Sequence, residues 1–184
     1  MKTRKIIFTA LFAALTCVAT MIIKLPTPTM GYIHPGDAIV LLSGLLLGPL
    51  YGGLAAGLGS MFADIFSGYL SYAPATFCIK FLTALIACLL AKSLKKILGK
   101  IPSVIIAGTV GEAFMVIGYF LFEIFMLAFA TGAGLSATSL TAGITSSASG
   151  IPFNIVQGIF GVIIATILYP ILERIFQNME GDVK

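Results

Sequence analysis

The stretch Ala73-Pro74-Ala75-Thr76-Phe77-Cys78-Ile79-Lys80-Phe81-Leu82-Thr83-Ala84-Leu85 reads as part of a membrane helix, yet it carries a lysine in its middle. A cation in hydrocarbon costs at least ~2.5–3.5 kcal/mol, so such a residue faces a protein interior or a watery cavity and has a partner. Asp64, Glu112, Glu123, Asn154 and Gln157 also fall inside apolar segments. Polar groups at that depth predict a small-molecule site within a bundle of membrane helices.

Composition agrees with this reading. The 184 residues are 59% hydrophobic and only 10% charged, and the mean hydropathy is +1.08, outside the range of soluble globular domains. The length suits one domain over residues 1–184, with no room for a large extramembrane catalytic domain. The net charge of +4 does not point to nucleic acid. Lys2, Arg4 and Lys5 precede the first apolar run, and Lys92, Lys95, Lys96 and Lys100 share one connection, the positive-inside pattern of cytoplasmic loops. Cys17, Cys78 and Cys88 lie within apolar runs and read as small buried hydrophobes, and His34 alone cannot build a metal site. No metal or catalytic cofactor is expected. The first apolar run lacks a small-residue cleavage site and is followed by further membrane segments, so it reads as a retained helix.

Proline and glycine divide the chain into six segments: about 5–23, 36–47, 50–66, 74–91, 102–129 and 151–171. Pro49, Pro74, Pro102 and Pro152 stand where a first helical turn tolerates a residue without an N–H. The second segment is short, ~18 Å as a helix against a hydrocarbon core of ~30 Å, and a re-entrant hairpin is the alternative. Charge placement favours six crossings, because removing one would put the lysine-rich connection outside. The expected fold is therefore an all-α integral membrane protein, six transmembrane helices in a single bundle with both termini cytoplasmic.

On that topology Asp37, Asp64, Lys80, Glu123, Asn154 and Gln157 converge on the outer half, with Glu112 nearer the middle. One outward-facing pocket accounts for them. Other readings stand beside it. Asp64 and Lys80 also suit a structural ion pair, and Asn154 suits a helix cap. Glu112 suits a packing hydrogen bond or a proton relay. Glu112 and Glu123 are about three turns apart and share a face with Tyr119. Ala10 and Ala14, Gly53 and Gly57, and Ala56 and Ser60 have the four-residue spacing that allows close helix approach in lipid. The uncharged segment 131–150 and the proline-rich 24–35 read as loops, each a lid or a plain linker.

The chain lacks a Walker A sequence, Gly-x-Ser-x-Gly and His-Glu-x-x-His, so it is not expected to be an enzyme. Six helices with no obvious inverted repeat are few for a self-sufficient transporter.

These residues carry a family resemblance. The run Gly31-Tyr32-Ile33-His34-Pro35-Gly36-Asp37, then Leu47-Gly48-Pro49-Leu50-Tyr51-Gly52-Gly53 and Gly57-Leu58-Gly59-Ser60-Met61-Phe62-Ala63-Asp64, resembles the substrate-binding S component of energy-coupling-factor (ECF) vitamin transporters. Gly68-Tyr69, Tyr72 through Thr76, Ile79-Lys80, Gly111-Glu112, Gly118-Tyr119, Glu123 and Pro152 through Gly158 continue it over nearly the whole chain. The branch it resembles is the riboflavin-type group that includes hydroxymethylpyrimidine and pyridoxine transporters. The resemblance implies a vitamin bound near the outer face of a bacterial cytoplasmic membrane protein. It implies partners too: a transmembrane coupling (T) subunit, docked through Ala10 and Ala14, and two ATP-binding-cassette ATPases that alone use ATP. It also implies that the loaded subunit topples in the membrane to release its vitamin.

The substrate-binding set expected is Asp37, Asp64, Lys80, Glu112, Tyr119, Glu123, Asn154 and Gln157. It suits a small polar heterocycle, pyridoxine or hydroxymethylpyrimidine before riboflavin, since the chain has no tryptophan to stack on a flavin. On this reading Lys80→Met weakens binding about tenfold or more in a protein that still folds. The alternative function is an autonomous proton-coupled carrier that titrates Glu112 and Glu123.

Overall fold

Prolines and glycines end the elements where their backbone chemistry requires. In the computed structural model, which describes residues 2–29, 31–130 and 135–181, Pro49 opens a helix at its first position, where the missing N–H has no intrahelical partner to lose. Gly48 just before it holds φ at 90°, a conformation that a side chain would strain. The helices are α1 (Lys2–Ile22), α2 (Asp37–Leu47), α3 (Pro49–Phe66), α4 (Ala73–Leu98), α5 (Lys100–Ala130), α6 (Ala137–Ala148) and α7 (Ile151–Gly181). Between α1 and α2 a two-residue antiparallel ladder pairs β1 (Leu25–Pro26) with β2 (Tyr32–Ile33).

The all-α membrane fold expected from composition is present, and α1, α4, α5 and α7 are each long and apolar enough to cross a membrane. The short second segment sits in the middle of the bundle. α2 has 11 residues, ~16 Å of helix, and is packed against α1, α3, α4 and α7. Val40, Leu41 and Leu42 are fully buried in succession, the pattern of a helix surrounded on all sides. Ser43 Oγ ties the α2–α3 break together, donating to the carbonyl of Val40 at 2.7 Å or of Gly52 at 2.9 Å. On α3, Gly53 and Gly57 face the rings of Phe81 and Phe77 of α4.

Two boundaries differ from the sequence reading. α4 continues past residue 91 to Leu98, and α7 continues past 171 to Gly181 with Pro170 inside it. Lys92, Lys95 and Lys96 therefore stand on two added turns of α4, where ammonium groups suit the C-terminal end of a helix, and Lys100 opens α5. The segment 131–150, expected as a loop, contains α6. Ser136 caps α6, its hydroxyl accepting from the N–H of Ser139 while the Ser139 side chain accepts from the N–H of Ser136. Residues 131–134 of that expected loop lie outside the described residues.

Candidate functional site

The end of α3, the start of α4, the end of α5 and, after the short α6, the start of α7 meet at one end of the bundle. There they enclose a cavity lined by Thr27, Gly31, Tyr32, His34, Asp64, Tyr69, Tyr72, Thr76, Tyr119, Glu123, Asn154 and Gln157. Its empty space is about 390 Å³, counting the gaps between packed atoms and the part open to solvent. The side chains nearly fill it.

Beneath the cavity lies a buried polar hub. Lys80 and Asp37 are both fully buried, and Nζ of Lys80 is 2.5 Å from Oδ1 of Asp37. Gln157 Nε2 donates to Asp37 Oδ2 at 2.7 Å, and its Oε1 accepts from the backbone N–H of His34 at 2.8 Å. The hub thus joins α2, α4 and α7 to the segment that follows β2. The expected pairing of Lys80 with Asp64 is not what forms. The central position of α2 brings Asp37 to Lys80, and Asp64 turns instead to Tyr32, whose hydroxyl donates to Oδ1 at 2.7 Å. Above Lys80, the Tyr119 ring lies 5.3 Å from Nζ at its centroid, a cation–π distance, and its hydroxyl donates to Thr76 Oγ1 at 3.1 Å.

The β1–β2 hairpin covers the cavity and reaches a carboxylate on each of two helices. Tyr32 holds Asp64 on α3, and Thr29 Oγ1 donates to Glu123 Oε1 on α5 at 2.9 Å. Tyr72 OH donates to the carbonyl of Thr29 at 2.7 Å and lies 3.4 Å from the same Glu123 oxygen. Among the described residues, Asp64 Oδ2 and Glu123 Oε2 are buried and have no hydrogen-bond partner. Tyr32, Tyr69 and Tyr72 form a chain of rings with centroids 4.7 and 6.3 Å apart. Burial, and after it the nearby Asp64 or Glu123 charge, pushes the Tyr32 and Tyr72 hydroxyls above the usual phenol range, so both stay protonated donors. Burial, followed by the Lys80 and Lys24 charges, lowers His34 to about 3 against the opposing pull of Asp37. The neutral ring accepts at Nδ1 from the Gly36 N–H at 3.1 Å.

Of the residues singled out from sequence, Asp64, Tyr119, Glu123, Asn154 and Gln157 line the cavity. Asp37 and Lys80 form the hub below it instead of the wall. Asn154 sits inside the first turn of α7 and lines the cavity, so it does not take the helix-cap position. Glu112 is not in the cavity wall: buried between α5 and α7, its carboxyl stands beside Asp37 of the hub and also lines an apolar groove with Thr109, Ile155 and Ile159. The expected set lacked Thr27, Gly31, Tyr32, His34, Tyr69, Tyr72 and Thr76 of the cavity wall, and Thr29 beside Glu123. The one available signal was that Tyr32, Tyr69 and Tyr72 gather in two short connections, where an amphipathic ring suits a membrane interface.

Compared with known families, the chain matches the ECF-type riboflavin transporter S component over residues 1–174. It is also similar to a solved structure described as the S component of a bacterial ECF transporter. The two share 23% identity and a TM-score of 0.65, over 95% of this chain and 98% of that one. At that identity the likeness speaks for the fold. No curated protein matches the chain.

Proposed function

This chain belongs to the S-component family of ECF-type riboflavin transporters, and from that premise we propose that it captures a one-ring vitamin or precursor, pyridoxine or hydroxymethylpyrimidine, for import. As a family of transporter substrate-binding subunits in the cell membrane, its members act by binding and not by catalysis. The cavity under the hairpin carries the proposal. It has flat tyrosine faces, polar groups on several sides and, among the described residues, no lysine or arginine in its wall. A one-ring ligand suits these tyrosine faces better than a flavin, for which the chain has no tryptophan to stack on the isoalloxazine. Direct contact is assigned to Asp64, Tyr119, Glu123, Asn154 and Gln157; Asp37 and Lys80 hold the floor.

The remaining parts of the proposal follow the family. α2 and α3 complete six crossings, the cavity opens outward, and both termini face the cytoplasm beside Lys92, Lys95, Lys96 and Lys100. A coupling subunit and two ATPases supply the energy. Riboflavin is the second reading, favoured by the family's own description.

Mass spectrometry of small molecules released from the detergent-purified protein tests the substrate. A pyridine or pyrimidine vitamin is expected. A flavin alone would replace the first reading by the second, and pH-driven uptake by this chain alone in liposomes would replace both by an autonomous carrier.

A further inference from the structure

The central helix is short, and the space beneath its end is not filled. α2 stops at Leu47, while α4 runs to Leu98 and α7 to Gly181. A cavity of about 200 Å³ remains at the end of the bundle away from the hairpin, enclosed by α4, α5 and α7 under Leu45. That is far more than the ~10–15 Å³ that admits one water. Ala91 and Val104 give it apolar sides, and Lys92, Lys95, Lys100, Tyr169 and Glu173 bring charge and a hydroxyl to its wall.

Three ammonium groups share one carboxylate there. Glu173 is 8% exposed and is held from three elements' side chains. Its Oε1 accepts from Lys95 Nζ at 3.0 Å and from the Tyr169 hydroxyl at 2.9 Å, and its Oε2 lies 2.5 Å from Lys100 Nζ. These contacts fix Lys95 and Lys100 at the cavity wall with nearly half of each side chain in water. Lys92 comes from the other side. Its ammonium stands beside the Cys88 thiol and 3.9 Å from where a side chain would begin at Gly48, under the turn that ends α2. Among the described residues, no carboxylate pairs with Lys92. Three cations against one carboxylate leave two positive charges in excess around a void.

Like charges around a void repel, and an anion placed among them turns repulsion into attraction. Lysine is a compact point charge that suits a tetrahedral phosphate, and the planar arginine fork that matches a carboxylate is missing from the described wall. A phosphomonoester carries about −1.5 to −2 charge at pH 7, which balances the excess. We propose that this cavity is a phosphate-binding site in which Lys92, Lys95 and Lys100 hold a phosphomonoester, either a lipid headgroup or a soluble phosphate. Glu173 sets the positions of two of the lysines. Occupancy ties α4 to the start of α5 beneath α2, and it requires neither the vitamin nor the partner subunits.

Amine-reactive labelling of the detergent-purified wild-type protein, read lysine by lysine by mass spectrometry, tests the site. The conditions, at equal ionic strength, are chloride, inorganic phosphate, micelles with added phosphatidic acid, and micelles with added phosphatidylcholine. Labelling of Lys92, Lys95 and Lys100 should fall about threefold once roughly two-thirds of the protein is occupied. Lys96, next to Lys95 but outside the cavity wall, should label as before. Protection by inorganic phosphate assigns the site to a soluble phosphate, and protection by phosphatidic acid alone assigns it to a headgroup. Equal protection of Lys96, protection by phosphatidylcholine as well, or no protection in any condition would overturn the proposal. Lys92→Gln should weaken the apparent affinity at Lys95 and Lys100 at least about threefold, and an unchanged affinity would overturn the three-lysine site. The wild-type footprint decides the proposal even where the variant fails to fold.

Discussion

Lys80 shows how far a single residue can be read. Its presence in an apolar run announces a buried partner, and the structure supplies one. Which carboxylate it would be was not legible, because Asp37 and Asp64 sit at the same end and helix rotation alone decides between them. The pairing with Asp37 changes what Lys80→Met should do. It leaves a fully buried carboxylate without its cation, a loss on the order of 3–5 kcal/mol, so the melting temperature in detergent should fall before affinity can be judged. Adding Asp37→Asn removes the stranded charge and keeps an acceptor for Gln157, so the double variant should regain most of the loss. A single variant as stable as wild type would mean that the pair contributes nothing. His34 gives the second prediction at this scale. Its folded value near 3 lies below the ordinary 6.5, so between these the unfolded chain binds the proton that the folded chain refuses. Stability that is complete above about pH 6.5 should decline as pH falls toward 3, and His34→Asn, which keeps an acceptor near Nδ1, should flatten that part of the curve. Identical pH profiles for the two proteins would show that His34 is not what titrates.

Among the elements, legibility followed apolar content. α1, α4, α5 and α7 stand out because their runs are long and apolar. α6 was invisible for the opposite reason. Its buried face is Ser139, Gly143 and Ser147, the pair Leu140 and Ile144 alone makes too short an apolar stripe, and the Ser136 and Ser139 pair marks its start. The lysine-bearing end of α4 was lost because charge reads as loop, whereas lysines near a helix C-terminus interact favourably with its dipole. The position of α2 was partly legible: an 11-residue apolar helix is too short for a lipid-exposed span and finds its surroundings in protein. Its approach to α4 depends on Gly44, where a Cβ would run into the main chain at Ala84. Backbone cannot move aside as a side chain can. Gly44→Ala should therefore cost on the order of 1–3 kcal/mol through overpacking, read as a lowered melting temperature, and Gly44→Leu should leave no folded protein to purify. A Gly44→Ala protein as stable as wild type would show that the two helices can separate without loss.

At the scale of the molecule, the function proposed above assigns capture and delivery to different surfaces. The cavity lies under the hairpin, at the end where α3 and α5 finish, while α1 turns one face inward and the other out. Phe12, Thr16 and Thr20 are buried, four residues apart in sequence, and Ala10 and Ala14 are exposed, roughly 200° around the helix from Phe12 and Thr16. Leu11, Leu15 and Val18 are exposed beside them. Two small residues set among larger ones let another helix come close in lipid, where contact and dispersion drive association. This is the face we assign to the coupling subunit. Ala14→Phe should therefore separate the two tasks. Vitamin affinity of the purified subunit should stay within about twofold, less than ~0.5 kcal/mol, because no cavity residue is touched. Co-purification with the coupling subunit and ATPases, and ATP-dependent uptake in liposomes, should both be lost. If the complex assembles and transports with phenylalanine at position 14, the docking surface lies on another face of the bundle. If affinity falls along with assembly, α1 reports on the cavity through α3, against which it packs, and capture and delivery are coupled within the free subunit.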